Sequence, residues 1–305
     1  MTLHQIKPVI YYPTFGQHPA IHHLVSGDVV EVSLLDAHGF NSQGSRLVEF
    51  SNPLVGPFYI EDLDPGDSLS VIFEQVQPDN KLGWSYATPS PTTIEPGYVV
   101  AMPNRKMISW TINPAHGMAR LTEPTADLAG LVIPLKPMIG CLGLAPDRSQ
   151  AISSYASGNF GGNMDCPLIS AGCRMEFPVF VKGGLLFIGD MHAAQSHGEI
   201  SGAAIEISGT TRFSVVVNKG KSISWPHGEN NDSIFTIGSG RPLDLAMQHA
   251  TSEMIRLLVQ DYLLNEESAS IVMGQSVQYM VSNAINEKFT MACILPKSIL
   301  AGLNH

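Results

Sequence analysis

Glycine and proline recur along most of this chain and separate short runs of apolar residues. The 305 residues include 28 Gly and 21 Pro, above the usual share, and these are spread out rather than gathered in one linker. Within residues 28–35, Val30, Val32 and Leu34 fall on one face of an extended chain, and residues 69–73 repeat this alternation. Short alternating runs bounded by turn residues are typical of strands, so the sequence predicts a mainly β fold.

Two of the segments between these runs predict defined turns. Residues 64–67, Asp-Pro-Gly-Asp, suit a type II turn, because Pro fixes φ at its second position and Gly tolerates positive φ at its third. Residues 178–181 and 185–188 flank Lys182-Gly183-Gly184, a pattern that predicts a β-hairpin.

The hydrophobic period changes after residue 240. Apolar residues recur mostly at steps of three or four over residues 247–262 and again over residues 266–286, which predicts two helices. Residues 289–295 alternate again and end at Pro296, which predicts a closing strand.

No repeat, low-complexity tract or linker is evident in the sequence before residue 240. We therefore expect residues 1–305 to form a single domain. It would be β-rich to about residue 240, helical over about 243–286, and closed by a strand over about 289–295.

Charge and hydropathy exclude several classes of protein. Lys and Arg number 17 against 27 Asp and Glu, and the resulting net charge of −10 repels nucleic acid. Only 14% of the residues are charged and 44% are apolar, unlike a disordered chain. No apolar run reaches the ~20 residues that a bilayer requires, and residues 1–13 lack the apolar stretch of a signal peptide. Four cysteines without C-x-x-C spacing indicate neither a disulfide framework nor a cysteine zinc site, and we expect a cytoplasmic protein.

Residues 189–199 form the densest polar cluster in an apolar setting. Asp190 and His192 lie two residues apart after an apolar strand, so they project from the same face if the strand continues. There they could share a divalent metal, or Asp190 could orient the imidazole. Glu199 could be a ligand or a general base. The alternative is a polar loop in which Asp190 is solvated and Glu199 caps a turn, and the spacing leaves both interpretations open.

A glycine-rich segment, residues 158–166, precedes this cluster. Its glycines allow a close approach of the backbone or positive φ, and a tight turn explains them equally well. Asp165 could bind a metal, and the free N–H groups could bind an oxyanion. The segment lacks the Lys-Ser/Thr ending of a phosphate-binding loop, so a nucleotide site is not supported.

The end of the first clear strand carries a similar pair. Asp36 and His38 lie two residues apart and repeat the Asp-x-His spacing of the main cluster. A polar strand end is the favoured interpretation of His38.

Several segments form a pattern that covers nearly the whole chain. They are residues 27–30 followed by Asp36, residues 56–61 with 65–67, residues 161–165 (GGNMD), residues 189–199 (GDMHAAQSHGE), residues 202–206 and residues 295–298. In this combination the sequence resembles the acetamidase/formamidase family. Each motif is weak alone, but their combination is specific.

The resemblance implies a β-sandwich-type core with two C-terminal helices. It also implies an amidohydrolase that releases ammonia from formamide, acetamide or another short amide, with a divalent metal, zinc first and calcium as the alternative. A metal suits this reaction because amides are poor electrophiles. A divalent ion polarises the carbonyl and lowers the pKa of a bound water towards ~7.

The resemblance also suggests roles for individual residues. The expected metal ligands are Asp36, Asp165 and His192, with Asp190 as a fourth ligand or as the partner that orients His192. The expected catalytic residues are Glu199, as general base, and Gln195. The expected oxyanion and substrate loop comprises Asn159, Gly161, Gly162 and Asn163.

The sequence departs from the family pattern at one place, where Ser196-His197 replaces Gly-Asp. The change removes a negative charge from the loop and bears on both metal and substrate. Two other functions stay open: a metal-dependent hydrolase of a different C–N bond, and a non-enzymatic Ca²⁺-binding β-sandwich. The expected partners are a small-molecule amide and, for a homodimer, a second copy of the chain.

Overall fold

The structure of the protein, a computed structural model, describes residues 2–303. The strands, in chain order, are β1 Leu3–Ile6, β2 Thr14–Phe15, β3 His22–Leu24, β4 Val29–Leu34, β5 Leu54–Ile60, β6 Ser68–Pro78, β7 Leu82–Tyr86, β8 Met107–Asn113, β9 Met118–Leu121, β10 Ile133–Pro134, β11 Met138–Gly143, β12 Ile152–Ser153, β13 Ser157–Gly158, β14 Gly161–Asn163, β15 Arg174–Pro178, β16 Leu186–Ala194, β17 Ile205–Glu206, β18 Gly209–Asn218, β19 His227–Glu229, β20 Ser233–Gly240, β21 Gln278–Asn283 and β22 Phe289–Pro296. The α-helices are α1 Pro96–Val99, α2 Leu243–Asp261, α3 Glu266–Ser276 and α4 Lys297–Leu300, and two 3₁₀ helices span Pro114–His116 and Ala126–Leu128.

Two large sheets face each other across the main core. The first has the order β1-β4-β18-β6-β15-β19-β20-β22-β21. The second has the order β10-β9-β8-β7-β17-β16-β11-β14-β13, with β5 paired to β16 and β3 paired to β5. Phe58 on β5 and Phe213 on β18 lie in this core, with ring centroids 6.1 Å apart. The predicted mainly β class and sandwich-type core are confirmed.

Strand β4 shows how the alternating pattern produces the sandwich. Val30, Val32 and Leu34 are buried in the core, whereas Ser33 is exposed and Glu31 is only partly covered. One face of the strand therefore carries the apolar side chains and the other meets solvent, as the sequence predicts.

The predicted turn at residues 64–67 is confirmed, but the predicted hairpin around Lys182 is wrong. Gly66 has φ +94° and the amide of Asp67 donates to the carbonyl of Asp64. By contrast, β15 and β16 belong to different sheets, so the glycine segment between them carries the chain across the sandwich. All nine residues of β16 are buried, because this strand has partners along both edges and is covered on both faces.

The C-terminal segment begins as predicted and then differs. Helix α2 packs Ala250, Met254 and Leu258 inward, but α3 ends at Ser276 and does not continue to residue 286. Residues 278–283 instead form β21, which pairs with β22 at the edge of the first sheet. Pairing with β22 satisfies the backbone hydrogen bonds of this stretch. The apolar spacing alone did not distinguish this strand from a continuation of the helix. Within residues 2–303 no helix is both long and apolar enough to cross a membrane.

A buried histidine connects α2 to the first sheet. His227 on β19 is buried between Glu176 on β15, 3.3 Å from its Nε2, and Glu253 on α2, 3.6 Å from its Nδ1. Burial alone would lower the pKa of His227, but the hydrogen bonds and charges of both carboxylates raise it above its ordinary value of 6.5. Burial opposes ionisation of Glu176 too, yet contacts with His227, Ser68 and Lys221 lower its pKa to about 2.

We expect His227→Asn to destabilise the protein in a pH-dependent way. The pKa of His227 is raised in the folded state, so its stabilisation is complete below pH 6.5 and is lost as the pH rises through the folded-state pKa. Urea unfolding should show a loss of about 3 kcal/mol at pH 6 and a smaller loss at pH 9. The exposed His197→Asn is the matched control and should change the free energy of unfolding by less than about 0.5 kcal/mol. Equal losses at both pH values for His227→Asn would contradict the charged arrangement.

Candidate functional site

Strand β16 carries Asp190 and His192 into the interior at a point where its neighbouring strand changes. Along one edge, β5 pairs with residues 186–189, and β17 pairs with His192 and Ala194. Asp190 lies at the change of partner. Both side chains are buried, and Asp190 Oδ1 lies 3.4 Å from His192 Nε2. The spacing of two residues therefore places this pair together, as the sequence predicts.

Glu206 meets His192 from the next strand. The two residues are directly paired across β17 and β16, so their side chains share a face of the sheet. Glu206 Oε1 accepts a hydrogen bond from the amide of Ala204 at 3.0 Å, and Oε2 lies 3.3 Å from His192 Nε2. The register thus adds a carboxylate that the sequence analysis did not assign to the site.

Five buried donor atoms converge here. They form two overlapping groups, in each of which the ligand atoms lie within 4.8 Å of one another: Asp165, Asp190 and His192, and His192, Glu199 and Glu206. Within residues 2–303 the following side-chain atoms of the site are buried without a hydrogen-bond partner: Asp165 Oδ1, Asp190 Oδ1, His192 Nε2, Glu199 Oε2 and Glu206 Oε2. Buried polar atoms are nearly always paired, so this concentration fits residues arranged around a cation.

Gln195 fixes the orientation of His192. Its side-chain nitrogen donates to the carbonyls of Asp165, at 2.6 Å, and Ser282, at 3.0 Å. Its oxygen is then free to accept from Nδ1–H of His192, at 2.9 Å. A donating Nδ1 leaves the Nε2 lone pair for a ligand, which is the usual way a second residue selects the tautomer of a metal-binding histidine.

Asp165, Glu199 and Glu206 resist ionisation in the absence of a cation. Burial, with the nearby charge of Asp190, raises the pKa of Asp165 to about 6. Burial also raises the pKa of Glu206 to about 7, although the His192 charge opposes this. Burial and the Asp165 charge raise the pKa of Glu199 well above its ordinary value. Either protons or a cation must therefore compensate these groups.

Three of the acidic residues have an unusual backbone conformation. The φ angles of Asp165, Asp190 and Glu199 are 42°, 59° and 49°, in the left-handed region that non-glycine residues rarely occupy. Such conformations concentrate at functional sites because the surrounding structure must enforce them. Gly140 allows the arrangement, since a Cβ atom there would lie 2.6 Å from Asp165 Oδ1 and 2.7 Å from Asp190 Oδ2.

Two asparagines near the C-terminus hold Asp165 in place. The side-chain amides of Asn283, at 2.8 Å, and Asn286, at 3.0 Å, both donate to Asp165 Oδ2, which leaves Oδ1 facing the other donors. Gly198 forms an isolated bridge with Asn283, so the Glu199 loop is joined to the same segment. The sequence analysis missed both asparagines, because nothing in their local pattern indicates a partner more than 100 residues away.

Asp36 lies outside both donor groups, contrary to its expected role as a ligand. Its Oδ1 accepts hydrogen bonds from the amides of His38 and Phe40, and its Oδ2 accepts one from the indole of Trp84 at 3.0 Å. With both oxygens engaged, Asp36 orders its own loop and positions Trp84. The strand end was recognisable in the sequence, but its partners were not.

The expected oxyanion loop is largely a strand. Gly161 and Gly162 belong to β14, which is paired on both sides, and Asn159 is exposed at the turn that leads into it. These glycines serve packing: a Cβ on Gly162 would lie 2.3 Å from the carbonyl oxygen of Ala156. Of the four residues only Asn163 reaches a cavity at the donor cluster.

The departure from the family pattern falls outside the donor groups. Ser196 and His197 are exposed, whereas Glu199 two residues later is buried among the donors. The negative charge that this chain lacks therefore belongs to the exposed surface of the loop and not to the buried donors.

Comparison with known proteins supports the resemblance. The sequence model of the Acetamidase/Formamidase family matches residues 148–300, half of the chain. The chain belongs to the acetamidase/formamidase family. The matched residues include all five donors of the site.

Individual relatives in the family agree with this assignment. The chain is 27% identical over 207 residues to a putative formamidase of Schizosaccharomyces pombe, in an alignment that covers 52% of this chain and 49% of that protein. It thus spans about half the length of this curated relative. An acetamidase from Yersinia enterocolitica superimposes with a TM-score of 0.84 at 30% identity, covering 98% of this chain and 93% of that one. A predicted acetamidase/formamidase from Thermoanaerobacter tengcongensis gives a TM-score of 0.85 at 27% identity, covering 99% and 97%.

Proposed function

We propose that this protein is a divalent-metal-dependent amidohydrolase. It cleaves the C–N bond of a short-chain amide, of the formamide or acetamide type, to a carboxylate and ammonia. The observation that carries the proposal is the convergence of five buried donor atoms without hydrogen-bond partners in a member of the acetamidase/formamidase family. The names of the relatives supply the substrate class.

The donor set favours zinc over calcium. Asp165, Asp190 and His192 would hold the ion, with Glu206 at its side. Zinc accepts imidazole nitrogen together with carboxylate oxygen, whereas calcium takes oxygen ligands almost exclusively. The cation supplies polarisation of the amide carbonyl and a more acidic water.

Glu199 is the general base and acid of the proposed reaction. Its Oε2 is buried beside the other donors and has no hydrogen-bond partner among residues 2–303, so it can receive a proton. It takes a proton from water as the water oxygen attacks the carbonyl carbon. The same proton passes to the nitrogen as the C–N bond breaks, so that the carboxylate and ammonia leave.

Gln195 and Asn163 have supporting roles. Gln195 is a positioning residue, because it acts through the orientation of His192. Asn163 lines the cavity, and its Oδ1 accepts a hydrogen bond from the Cys141 thiol at 3.0 Å. The Asn163 side-chain N–H groups are thereby directed away from that contact and can donate to the substrate oxygen. Asn163 would then bind the oxyanion, a role that the sequence analysis gave to the backbone of the glycine segment.

Three further features stay predictions of the sequence. They are a cytoplasmic location, a homodimer, and the organisation of residues 1–305 as one domain.

His192→Ala should lower the affinity of the protein for its divalent metal by at least about 10-fold, because one ligand atom is removed. Metal content measured by mass spectrometry after dialysis checks this. His197→Ala is the matched control: it removes an exposed histidine five residues away and should keep full metal content. Full occupancy in His192→Ala would make His192 a structural residue.

Glu199→Gln should keep the metal and lower kcat for acetamide by about 10²–10⁴-fold, since the amide cannot accept the proton of water. Ammonia release and metal content are measured on the same preparation. Glu123→Gln, at an exposed position, controls for the charge change and should have normal turnover. Near-normal turnover in Glu199→Gln would remove Glu199 as the base.

Ammonia release from formamide, acetamide and propionamide should disappear on chelation and return with Zn²⁺, because the donor cluster cannot polarise a carbonyl without its cation. Ammonia release that persists after complete chelation would exclude a metal-dependent reaction. No release from these amides under any condition would exclude the short-amide substrates and favour a different C–N bond. Stabilisation of the protein by Ca²⁺ without hydrolysis of any amide would favour the alternative of a non-enzymatic Ca²⁺-binding β-sandwich.

A further inference from the structure

Asn52 is a buried polar residue of the cavity beside the donor cluster, and no role has been assigned to it. The cavity has a volume of about 210 Å³, and its lining includes Asp190, Glu199 and Glu206 together with Asn52. Only 7% of the Asn52 surface is exposed, and within residues 2–303 its side chain has no hydrogen-bond partner. Buried polar side chains are nearly always paired, so this carboxamide is available to a ligand.

The carboxamide of Asn52 can be reached from the cavity. Donor oxygens of the site, such as Glu199 Oε2, are fully enclosed, whereas the carboxamide atoms of Asn52 keep some contact with solvent. Because Asn52 is otherwise buried and lines the cavity, the small accessible part of this residue includes polar atoms that a molecule in the cavity can contact.

The pairing of the strands brings Asn52 close to the donors. Leu54 on β5 is paired with Gly189 on β16, at the end of this ladder. The two strands are antiparallel, so Asn52, two residues before Leu54, lies at the level of the stretch that follows Gly189 and contains Asp190. From there β17 replaces β5 along β16. Asn52 therefore lies where the change of strand partner leaves room for a ligand.

The backbone of Asn52 does not account for its polar side chain. Its φ is 48°, and its amide donates to the carbonyl of Ala37 at 2.8 Å. Asparagine occupies this left-handed region more readily than most residues, but glycine does so without strain. The conformation alone is therefore no reason to bury a carboxamide without a partner.

Several other polar side chains of the cavity are engaged elsewhere or more exposed. The guanidinium of Arg105 lies over the ring of Tyr86, 3.6 Å from its centroid. Asn286 donates to Asp165 at 3.0 Å. Tyr155 is 50% exposed. None of these three lining residues, Arg105, Asn286 and Tyr155, combines burial with a side chain that lacks a partner, as Asn52 does.

The N–H groups of a primary amide still need an acceptor in the proposed reaction. The carbonyl oxygen is bound by the cation and by Asn163, and Glu199 passes a proton to the nitrogen. Asp190 and Glu206 are committed to the cation. A buried N–H group without an acceptor disfavours binding. Asn52 Oδ1 is a neutral acceptor in the same cavity that no other group uses.

We infer that Asn52 is a substrate-binding residue whose Oδ1 accepts a hydrogen bond from an N–H group of the scissile amide. This contact makes the site selective for primary amides over amides without an N–H group. The inference rests on the proposed amidohydrolase function and adds a residue that recognises the leaving nitrogen.

The test compares acetamide with N,N-dimethylacetamide, in which methyl groups replace both N–H groups. In the metal-loaded Glu199→Gln variant, which should bind without hydrolysis, NMR titration gives the Kd of each amide. Acetamide should bind at least about 10-fold more tightly, because the dimethyl amide leaves the Asn52 carboxamide without a partner. With Glu199 intact, acetate release gives kcat/KM for both amides and should show at least the same preference.

Variants of Asn52 are made in both backgrounds. Asn52→Gly removes the carboxamide without straining the backbone. It should reduce the preference for acetamide by about 10-fold, mainly through weaker binding of acetamide, with metal content unchanged. Asn52→Asp keeps an acceptor oxygen and should keep the preference. Asn231→Gly, at an exposed position between β19 and β20, is the matched control and should leave the preference unchanged.

The outcomes separate this inference from the proposed function. Hydrolysis of acetamide with a preference that Asn52→Gly does not change, or with no preference at all, overturns the inference and keeps the function. Loss of the preference in Asn52→Asp also overturns it, because the acceptor is still present. Acetamide binding that depends on Asn52, with no amide hydrolysed by the enzyme, rejects the function and supports Asn52 as an amide-binding residue. Neither binding nor hydrolysis of either amide overturns both.

Discussion

The mutual repulsion of buried carboxylates around one imidazole is the constraint on which the site depends. Asp165, Asp190, Glu199 and Glu206 gather about His192, and each is buried with one oxygen that has no hydrogen-bond partner. Burial of like charges is costly unless an opposite charge compensates them. The rest of the local structure can be understood as the scaffold that holds these groups together despite that cost: Gln195 orients the imidazole, two asparagines hold Asp165, and Gly140 provides the space between two carboxylates.

The sandwich provides such a scaffold through a change of strand partner. Strand β16 is paired along one edge with β5 and then with β17, and Asp190 lies where the partner changes. In a regular β-ladder the backbone at Asp190 would be extended. The change instead permits the left-handed conformation of Asp190, and the strands on either side keep it rigid. Side chains carried by such strands are positioned more firmly than those of a free loop.

The sequence allowed much of the fold and part of the site to be predicted. Alternation indicated the mainly β class, and the resemblance to the family indicated the sandwich. The spacing of Asp190 and His192 placed the two side chains close together, because this pattern is local. Glu206 and Trp84 could not be predicted, because their positions depend on the register between strands distant in sequence. The contacts of Asp36 with its own loop and with Trp84 could not be predicted for a related reason: an acidic strand end indicates a polar group but not its partners. The predicted end of the second helix was wrong, because residues 278–283 form a strand through their pairing with β22.

The contacts of Asp165 join distant parts of the chain at one carboxylate. Asn283 and Asn286 donate to Asp165 Oδ2 from more than 100 residues away, and Gly198, next to Glu199, forms a bridge with Asn283. Residues 283–286 therefore support two of the buried acidic residues at once, although neither asparagine belongs to the donor groups. A change confined to this segment would disturb the arrangement of the donors and leave every donor residue in the sequence.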